Sequence, residues 1–179
     1  AEIYSYNLKK KTWLKITKTN DEAYAKLSLP KFERRYVTTT DGKKMLVWVI
    51  LPPNFDKNKK YPTLLYCQGG PQSPLTQSYS FRWNFSLMAS QGYVVVAPNR
   101  RGMYGHGREW NEQISKDWGG QVMDDYLSAI DDVAKESYVD KSRLGALGAS
   151  YGGYSVFYLA GIHNNRFKTF ISHCGVFNL

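Results

Sequence analysis

The chain has 179 residues, 42% hydrophobic and 15% aromatic, which is typical of a globular protein with a packed core and excludes a disordered chain. Its longest apolar runs, such as YVVVA at 93–97, are too short to cross a bilayer, so we expect no membrane span. The net charge is +9, but residues 1–60 carry 14 Lys and Arg against 6 Asp and Glu. These cations lie beside Asn, Asp and Gly, as in solvated turns, so we expect no nucleic-acid partner.

The first twenty residues predict a β-hairpin. Apolar and polar residues alternate from Ile3 to Leu8, a Lys/Asn turn follows, and apolar residues return from Trp13 to Ile16. A lone hairpin is marginally stable in water, so this one needs neighbours. Residues 21–30 are typical of a connector. The chain begins with Ala rather than Met, without the apolar core of a signal peptide, which indicates a processed product or a piece of a longer protein.

From Phe32 onwards the pattern changes to that of an α/β protein. Residues 32–53 predict two antiparallel strands joined by the strong hairpin signal Asp41-Gly42. Four apolar strands are predicted after them, at 63–67, 93–97, 144–149 and 169–174. Amphipathic helices are predicted between these strands, at about 81–90, 121–137 and 151–162. This alternation is typical of parallel strands buried on both faces, behind an antiparallel pair at one edge.

The segment LGALGASYGGY, residues 144–154, places one serine among four glycines. Ser150 occupies the centre of a G-x-S-x-G pattern, with a buried strand before it and a helix after it. This context predicts a nucleophile on a sharp, strained turn that projects its oxygen above the sheet. A Cβ at Gly148 or Gly152 would collide with a neighbouring strand or helix, and Gly153 lets the helix approach the sheet closely.

Two groups of backbone amides are expected to face this serine. The N–H of Tyr151 opens the following helix, whose N-terminus carries positive partial charge. The loop Gln68-Gly69-Gly70-Pro71 follows the strand expected beside the serine strand, and its glycines allow N–H groups to turn inward. Together they predict a site that stabilises a developing oxyanion.

Five segments occur in an order that resembles the catalytic domain of the prolyl oligopeptidase family of serine peptidases, and most closely its dipeptidyl-peptidase and acylaminoacyl-peptidase branches. In chain order they are TTTDGKKMLVWVILPPNFDKNKKYP, YPTLLYCQGGPQSP, NRRGMYGHG, DWGGQVMDDY and DKSRLGALGASYGGY. The resemblance covers the chain from about Phe32 to its end. It implies that residues 30–179 are the N-terminal part of an α/β-hydrolase domain whose last strands are missing. Residues 1–29 resemble the end of that family's β-propeller and its connector.

The resemblance implies roles for the residues of the serine turn and the glycine loop. Ser150 matches the nucleophile, and Tyr151 matches the residue whose N–H forms half of the oxyanion hole. The other half matches a backbone N–H of Gly69 or Gly70. The dipeptidyl and prolyl branches use a Tyr side chain at the position of Gln68, so here Gln68 either donates through its amide or leaves this role to the glycines.

Three further expectations concern a substrate pocket, cofactors and the two cysteines. Val176 matches a wall of the pocket for the residue before the scissile bond, and no metal or cofactor is implied. Cys67 and Cys174 are interpreted as buried free thiols. Their strands flank the serine strand on opposite sides, about 9–10 Å apart, which is too far for a disulfide.

The partners of the serine are expected outside this chain. Triads of this fold run Ser, Asp, His along the sequence, so both partners should lie beyond Leu179. None of the three histidines fits the base: His106, His163 and His173. Asp124 and Asp125 fit a solvated helix face or a loop anchor, and Asp131 and Asp132 a helix surface.

The sequence therefore predicts a serine peptidase that cleaves short peptides through an acyl-Ser150 intermediate, with this piece inactive alone. One alternative is an esterase or other acyl hydrolase of the same fold, with identical chemistry. Another is a non-catalytic interaction fragment. The sheet would have an unpaired edge after strand 169–174, a template for association with itself or with a complementing chain.

Overall fold

A computed structural model describes residues 2–77 and 79–178, which form eight strands and five helices. The strands are β1 (Tyr4–Asn7), β2 (Thr12–Lys15), β3 (Lys31–Thr38), β4 (Lys44–Leu51), β5 (Tyr61–Cys67), β6 (Val94–Pro98), β7 (Val139–Ala149) and β8 (Thr169–His173). The helices are α1 (Asp21–Ala25), α2 (Phe85–Ser90), α3 (Arg108–Glu112), α4 (Gln121–Val133) and α5 (Tyr151–Ile162). Among these residues, no helix has the length and apolarity that a membrane crossing requires.

The predicted N-terminal hairpin is present as a separate two-stranded sheet. β1 and β2 pair antiparallel, with Tyr4 opposite Lys15. The ring centroids of Tyr6 and Trp13 lie 4.7 Å apart across the pair. Large apolar side chains of the hairpin are nevertheless exposed, Trp13 by 71% and Leu14 by 67%. The connector after it contains the short helix α1, which the sequence did not predict.

The remaining strands form one mixed sheet in the order β3-β4-β6-β5-β7-β8. β3 and β4 are antiparallel and are joined by the predicted turn, in which Gly42 has a φ of +82°. β6, β5, β7 and β8 run parallel to one another. The expected α/β architecture with an antiparallel pair at one edge is therefore confirmed.

Alternate side chains of the central strands enter two hydrophobic clusters, one on each face of the sheet. Leu65 and Cys67 belong to a cluster that includes Tyr126 and Ile130 of α4. Tyr66, between them in sequence, belongs to the other cluster, with Ala89 of α2. Burial on both faces explains why the strands read as continuous apolar runs.

The prediction of burial on both faces is wrong for β8. Its residues alternate between exposed and half-buried, and Ile171 is 56% exposed. The reason is its place at the end of the sheet, where within residues 2–77 and 79–178 it pairs only with β7. Phe170 packs against the core, while the other face of β8 is open.

The predicted and observed helix boundaries agree best where a sequence motif determines the boundary. α5 spans the predicted residues, starting directly after Ser150. α2 begins at Phe85 rather than Phe81, because the Asn84 side chain caps it by accepting a hydrogen bond from the Leu87 N–H. α4 ends at Val133, four residues early. The five-residue helix α3 was not predicted.

Candidate active site

Ser150 lies on a strained turn between β7 and α5. Its φ is +58° and its ψ is −123°, an unusual conformation for a residue with a side chain. Three backbone hydrogen bonds hold the turn. The Ser150 N–H donates to the His173 carbonyl (3.1 Å), and the Ser150 carbonyl accepts from the N–H groups of Tyr154 (3.0 Å) and Val176 (3.4 Å). The residue is exposed, so its hydroxyl is accessible above the sheet.

The glycines around the serine occupy positions where a side chain does not fit. A Cβ at Gly148 would lie 2.5 Å from the Gly152 carbonyl oxygen, and one at Gly152 would overlap the Cys67 carbonyl oxygen. A Cβ at Gly153 would lie 2.5 Å from the Cα of Gly175. The predicted steric reason for the pattern is confirmed, because each contact is with backbone that cannot move aside.

The glycine loop after β5 packs against the serine turn. A Cβ at Gly69 would lie 2.8 Å from the Ala149 carbonyl oxygen and 3.5 Å from the Ser150 Cβ. Gly70 has a φ of +131°, which favours glycine. Within the described ranges, the N–H groups of Gly69, Gly70 and Tyr151 donate no hydrogen bond to the protein. These unengaged amides belong to the serine turn and to the glycine loop that packs against it.

The Gln68 side chain turns away from this role. Its Nε2 donates to the Ser73 hydroxyl over 3.3 Å, within its own loop. Its backbone carbonyl instead accepts a hydrogen bond from Arg100, at 2.9 Å. The Gln68 side-chain amide is therefore engaged within its own loop in this structure.

Arg100, which follows β6, is a site residue that sequence reasoning missed. Its side chain is fully buried, and it donates to the Pro71 carbonyl (2.6 Å), the Gln68 carbonyl (2.9 Å) and the Tyr126 hydroxyl (2.9 Å). Its Cζ lies 4.8 Å from the ring centroid of Tyr151. The segment NRRGMYGHG was part of the resemblance. However, arginines in a glycine-rich loop are normally solvated, so the sequence did not indicate that Arg100 is buried.

The next residue, Arg101, forms a separate cluster with two carboxylates. Its Nη2 lies 2.6 Å from Asp41 Oδ1 and 3.7 Å from Asp125 Oδ1, while its N–H donates to Asp125 Oδ2 at 2.9 Å. Asp125 is fully buried, so of its two predicted roles it is a loop anchor. Burial raises the pKa of Asp125 to about 6, against the opposing effect of Arg101. The Arg101 hydrogen bond lowers the pKa of Asp41 to about 2.

Val176 lies beside the serine turn and lines a cavity of about 510 Å³. Three of its six lining side chains are aromatic and one is a cation. The lining residues are Lys116, Trp118, Tyr154, Val176, Phe177 and Asn178. The wall is tied to the site, because the Tyr151 hydroxyl donates to the Trp118 carbonyl at 2.7 Å.

No histidine or carboxylate in residues 2–77 and 79–178 is hydrogen-bonded to the Ser150 hydroxyl. His163 accepts the Phe167 N–H through Nδ1 at 3.1 Å, as part of the turn after α5. His173 is exposed at the end of β8, with its ring centroid 5.9 Å from that of Trp83. The same ranges contain no cluster of His, Cys, Asp or Glu that could hold a metal ion.

Both cysteines are free thiols, and their strands lie on opposite sides of β7, as predicted. Cys67 is buried, and burial raises the pKa of its thiol. The expectation that Cys174 is buried is wrong. It follows the edge strand β8 with a φ of +46° and is exposed to solvent.

The chain is similar in sequence and in fold to known peptidases. Dipeptidyl-peptidase 5 of Porphyromonas gingivalis is 56% identical over 178 residues, which cover 99% of this chain and 26% of that protein. The chain thus spans about a quarter of the length of this curated relative. A solved acylaminoacyl peptidase in complex with Z-Gly-Gly-Phe-chloromethyl ketone matches 98% of this chain and 27% of its own, with a TM-score of 0.85 and 26% identity.

A second solved structure, dipeptidyl peptidase 4 of Porphyromonas gingivalis, matches 98% of this chain and 25% of its own, with a TM-score of 0.76 and 28% identity. The sequence profile of the prolyl oligopeptidase family, Peptidase_S9, matches residues 79–179, which include the serine turn and Arg100. This match covers more than half of the chain, and the relatives share the mixed sheet that carries the turn. The chain therefore belongs to the prolyl oligopeptidase family.

Proposed function

We propose that this chain supplies the nucleophile and the oxyanion site of a serine peptidase that acts on short peptides. The observation that carries the proposal is the exposed Ser150 on a strained turn, with the unengaged amide of Tyr151 next in the chain and those of Gly69 and Gly70 in the loop that packs against the turn. The Ser150 oxygen attacks the scissile carbonyl carbon while its proton passes to a base. The carbonyl oxygen, now negative, accepts hydrogen bonds from the amides.

The leaving amine takes the proton from the base, and an acyl ester remains on Ser150. Water then hydrolyses this ester by the same route, which restores the hydroxyl.

Val176 and the aromatic cavity beside it hold the residue before the scissile bond in this proposal. The support is their position, since the Val176 N–H is bonded to the Ser150 carbonyl. The aromatic rings of Trp118, Tyr154 and Phe177 in its wall favour an apolar or aromatic side chain at this position.

We further propose that the base and its orienting carboxylate lie in a longer protein of which this chain is a part. The chain corresponds to 26% of its dipeptidyl-peptidase 5 relative, and no described residue is bonded to the serine hydroxyl. Such an isolated chain would be inactive, since the loss of the triad base costs a serine peptidase on the order of 10⁶ in rate. We call this longer protein the full-length protein.

The two ends of the chain carry apolar surface that a longer protein would cover. We propose residues 1–29 as the end of a β-propeller with its connector, because Trp13 and Leu14 of the hairpin are exposed. Residues 30–179 then form the N-terminal part of the hydrolase domain. We also propose that the open edge of β8 pairs with a further strand, from the same or a complementing chain.

The test uses the full-length protein and its Ser150→Ala variant. We expect release of a fluorescent amine from dipeptidyl substrates, which the 56% identical relative favours over acetyl-aminoacyl substrates, and no release by the variant. Equal release by the two proteins would contradict the proposal. Turnover of simple esters without peptide substrates would favour an esterase instead.

The isolated 179-residue chain tests the missing base. A fluorophosphonate should label Ser150 slowly in this chain and rapidly in the full-length protein, because only the latter activates the hydroxyl. Mass spectrometry locates and counts the label. Rapid stoichiometric labelling of the isolated chain would show that the base lies within residues 1–179.

A further inference from the structure

Arg100 contacts both halves of the proposed oxyanion site through one planar group. We propose that Arg100 is a positioning residue, which fixes the amides of Gly69, Gly70 and Tyr151 in the geometry that binds the negative oxygen. This inference rests on the proposed function and adds a residue to it. The side chain is fully buried below the site, so it acts through the backbone rather than on the substrate.

Arg100 holds the glycine loop through two backbone carbonyls. The Gln68–Gly69 peptide bond is trans, so the Gly69 N–H points opposite to the Gln68 carbonyl. Arg100 Nη2 holds that carbonyl at 2.9 Å, which directs the Gly69 N–H away from the guanidinium. Arg100 Nη1 holds the Pro71 carbonyl at 2.6 Å. Two nitrogens in one rigid plane therefore fix both ends of the two-glycine segment.

Arg100 also contacts Tyr151, the first residue of α5. The Arg100 Cζ lies 4.8 Å from the Tyr151 ring centroid, within cation–π range. The hydroxyl at the other end of that ring donates to the Trp118 carbonyl at 2.7 Å. The ring is held at its face and at its tip, so the backbone N–H that opens α5 has little freedom. One guanidinium thus sets the relative position of donors from β5 and from α5.

The positive charge of Arg100 also supports a role at the oxyanion site. Its nitrogens donate only to neutral oxygens, and the described ranges give it no carboxylate within 4.0 Å. Arg101 beside it is also buried and has two carboxylates. A buried cation without a counter-ion is costly. A site that receives a negative oxygen gains from an uncompensated positive charge below it, whereas a purely structural tie would not need one.

The experiment compares Arg100→Met and Arg100→Lys in the full-length protein, with Arg101→Lys as the matched control. Readouts are kcat, KM, the melting temperature and the inhibition constant of a peptide boronate, whose tetrahedral adduct on Ser150 places an oxygen in the oxyanion site. For Arg100→Met we expect kcat to fall by about 10²–10³ with KM within about threefold. The boronate affinity should fall in proportion.

Arg100→Lys keeps the charge but cannot hold both carbonyls in one plane, so we expect at least about a tenfold fall in kcat. Arg101→Lys should lower the melting temperature and keep kcat within about threefold. A folded Arg100→Met protein with unchanged kcat, or with reduced kcat and unchanged boronate affinity, would overturn the inference. So would an equal loss of kcat in Arg101→Lys.

Should Arg100→Met not fold, Tyr126→Phe decides instead, because it removes only the hydroxyl that accepts from Arg100 Nε. We expect this variant to lose about threefold to tenfold in kcat and in boronate affinity. Unchanged values of both would overturn the inference. Failure of the proposed function itself is distinguishable, since Ser150→Ala would then hydrolyse the same substrates as the unmodified protein.

Discussion

The serine turn and the Arg101 cluster both lie at the carboxyl ends of parallel strands, after β7 and after β6. Different forces hold them in place. Backbone hydrogen bonds and the absence of Cβ atoms at Gly148 and Gly152 shape the turn. Charged side chains, Asp41 and Asp125 against Arg101, shape the cluster. The turn should therefore be sensitive to added volume and insensitive to pH, and the cluster should show the opposite behaviour.

The largest effect is expected from Ser150→Ala in the full-length protein. Activity should fall by about 10⁶, because the acyl acceptor is lost. The free energy of unfolding should change by less than about 1 kcal/mol, since the turn is held by backbone groups that Ala retains. Denaturant titration beside the kinetic assay checks both. A large loss of stability would mean that the hydroxyl helps to shape the turn.

Next is Arg101→Met, which leaves Asp125 buried without its charged partner. We expect a loss of about 3–5 kcal/mol in the free energy of unfolding. The matched control is Arg166→Met, which breaks the more exposed pair with Asp131 (2.8 Å) and should cost at most about 1 kcal/mol. Equal losses in the free energy of unfolding would show that the buried ion pairs of Arg101 stabilise the protein no more than a surface ion pair does.

At the turn, Gly152→Ala should cost about 3 kcal/mol, because the added Cβ meets the Cys67 carbonyl and the β5 backbone must shift. Gly161→Ala lies in the same helix with open space around its Cβ position. That control should be neutral or stabilising by up to about 1 kcal/mol. Chemical denaturation measures both, and similar values would contradict the steric account of the motif.

The smallest effect is a pH dependence that only the cluster should show. The folded pKa of Asp125 is about 6, above the unfolded value of about 3.9. The folded state therefore binds the proton more tightly, and its contribution to stability is present below about pH 4 and is lost as the pH rises to about 6. The lowered pKa of Asp41 has the opposite sign and acts between about pH 2 and 4.

We expect stability to fall by about 1–3 kcal/mol between pH 4 and 6.5, with Gln121, Asp41 and Arg101 as the polar neighbours of Asp125. Asp125→Asn should remove this slope, whereas Asp124→Asn, its exposed neighbour, should retain it. Unfolding free energies measured across this range test the expectation. A slope that survives in Asp125→Asn would assign it to another group.

Local patterns were enough to predict the parts of the fold that depend on neighbours in sequence. The Asp41-Gly42 hairpin, the central strands and the start of α5 at Tyr151 follow from turn chemistry, apolar runs and the glycines around Ser150. The role of Arg100 could not be predicted this way. Its acceptors Gln68 and Pro71 lie about thirty residues earlier, and only the pairing of β5 with β6 brings them together.

The unpaired edge after strand 169–174 was predicted, but the exposure of the β8 side chains was not. The apolar segment TFISH has the same sequence signature at the edge of a sheet as at its centre, so the pattern does not show which of its side chains solvent reaches. The burial of Asp125 was not predicted either. The sequence of a helix does not show that the loop with Arg101, whose N–H donates to this carboxylate, will cover it.

The exposed thiol of Cys174 makes the site accessible to spectroscopy without mutagenesis. The other cysteine of the 179-residue chain, Cys67, is fully buried and its thiol is poorly ionised, so in this chain a maleimide dye should attach at Cys174 only. That position follows His173, whose carbonyl holds the Ser150 N–H. A fluorophore there would report the arrival and departure of ligands at the serine of this chain in real time.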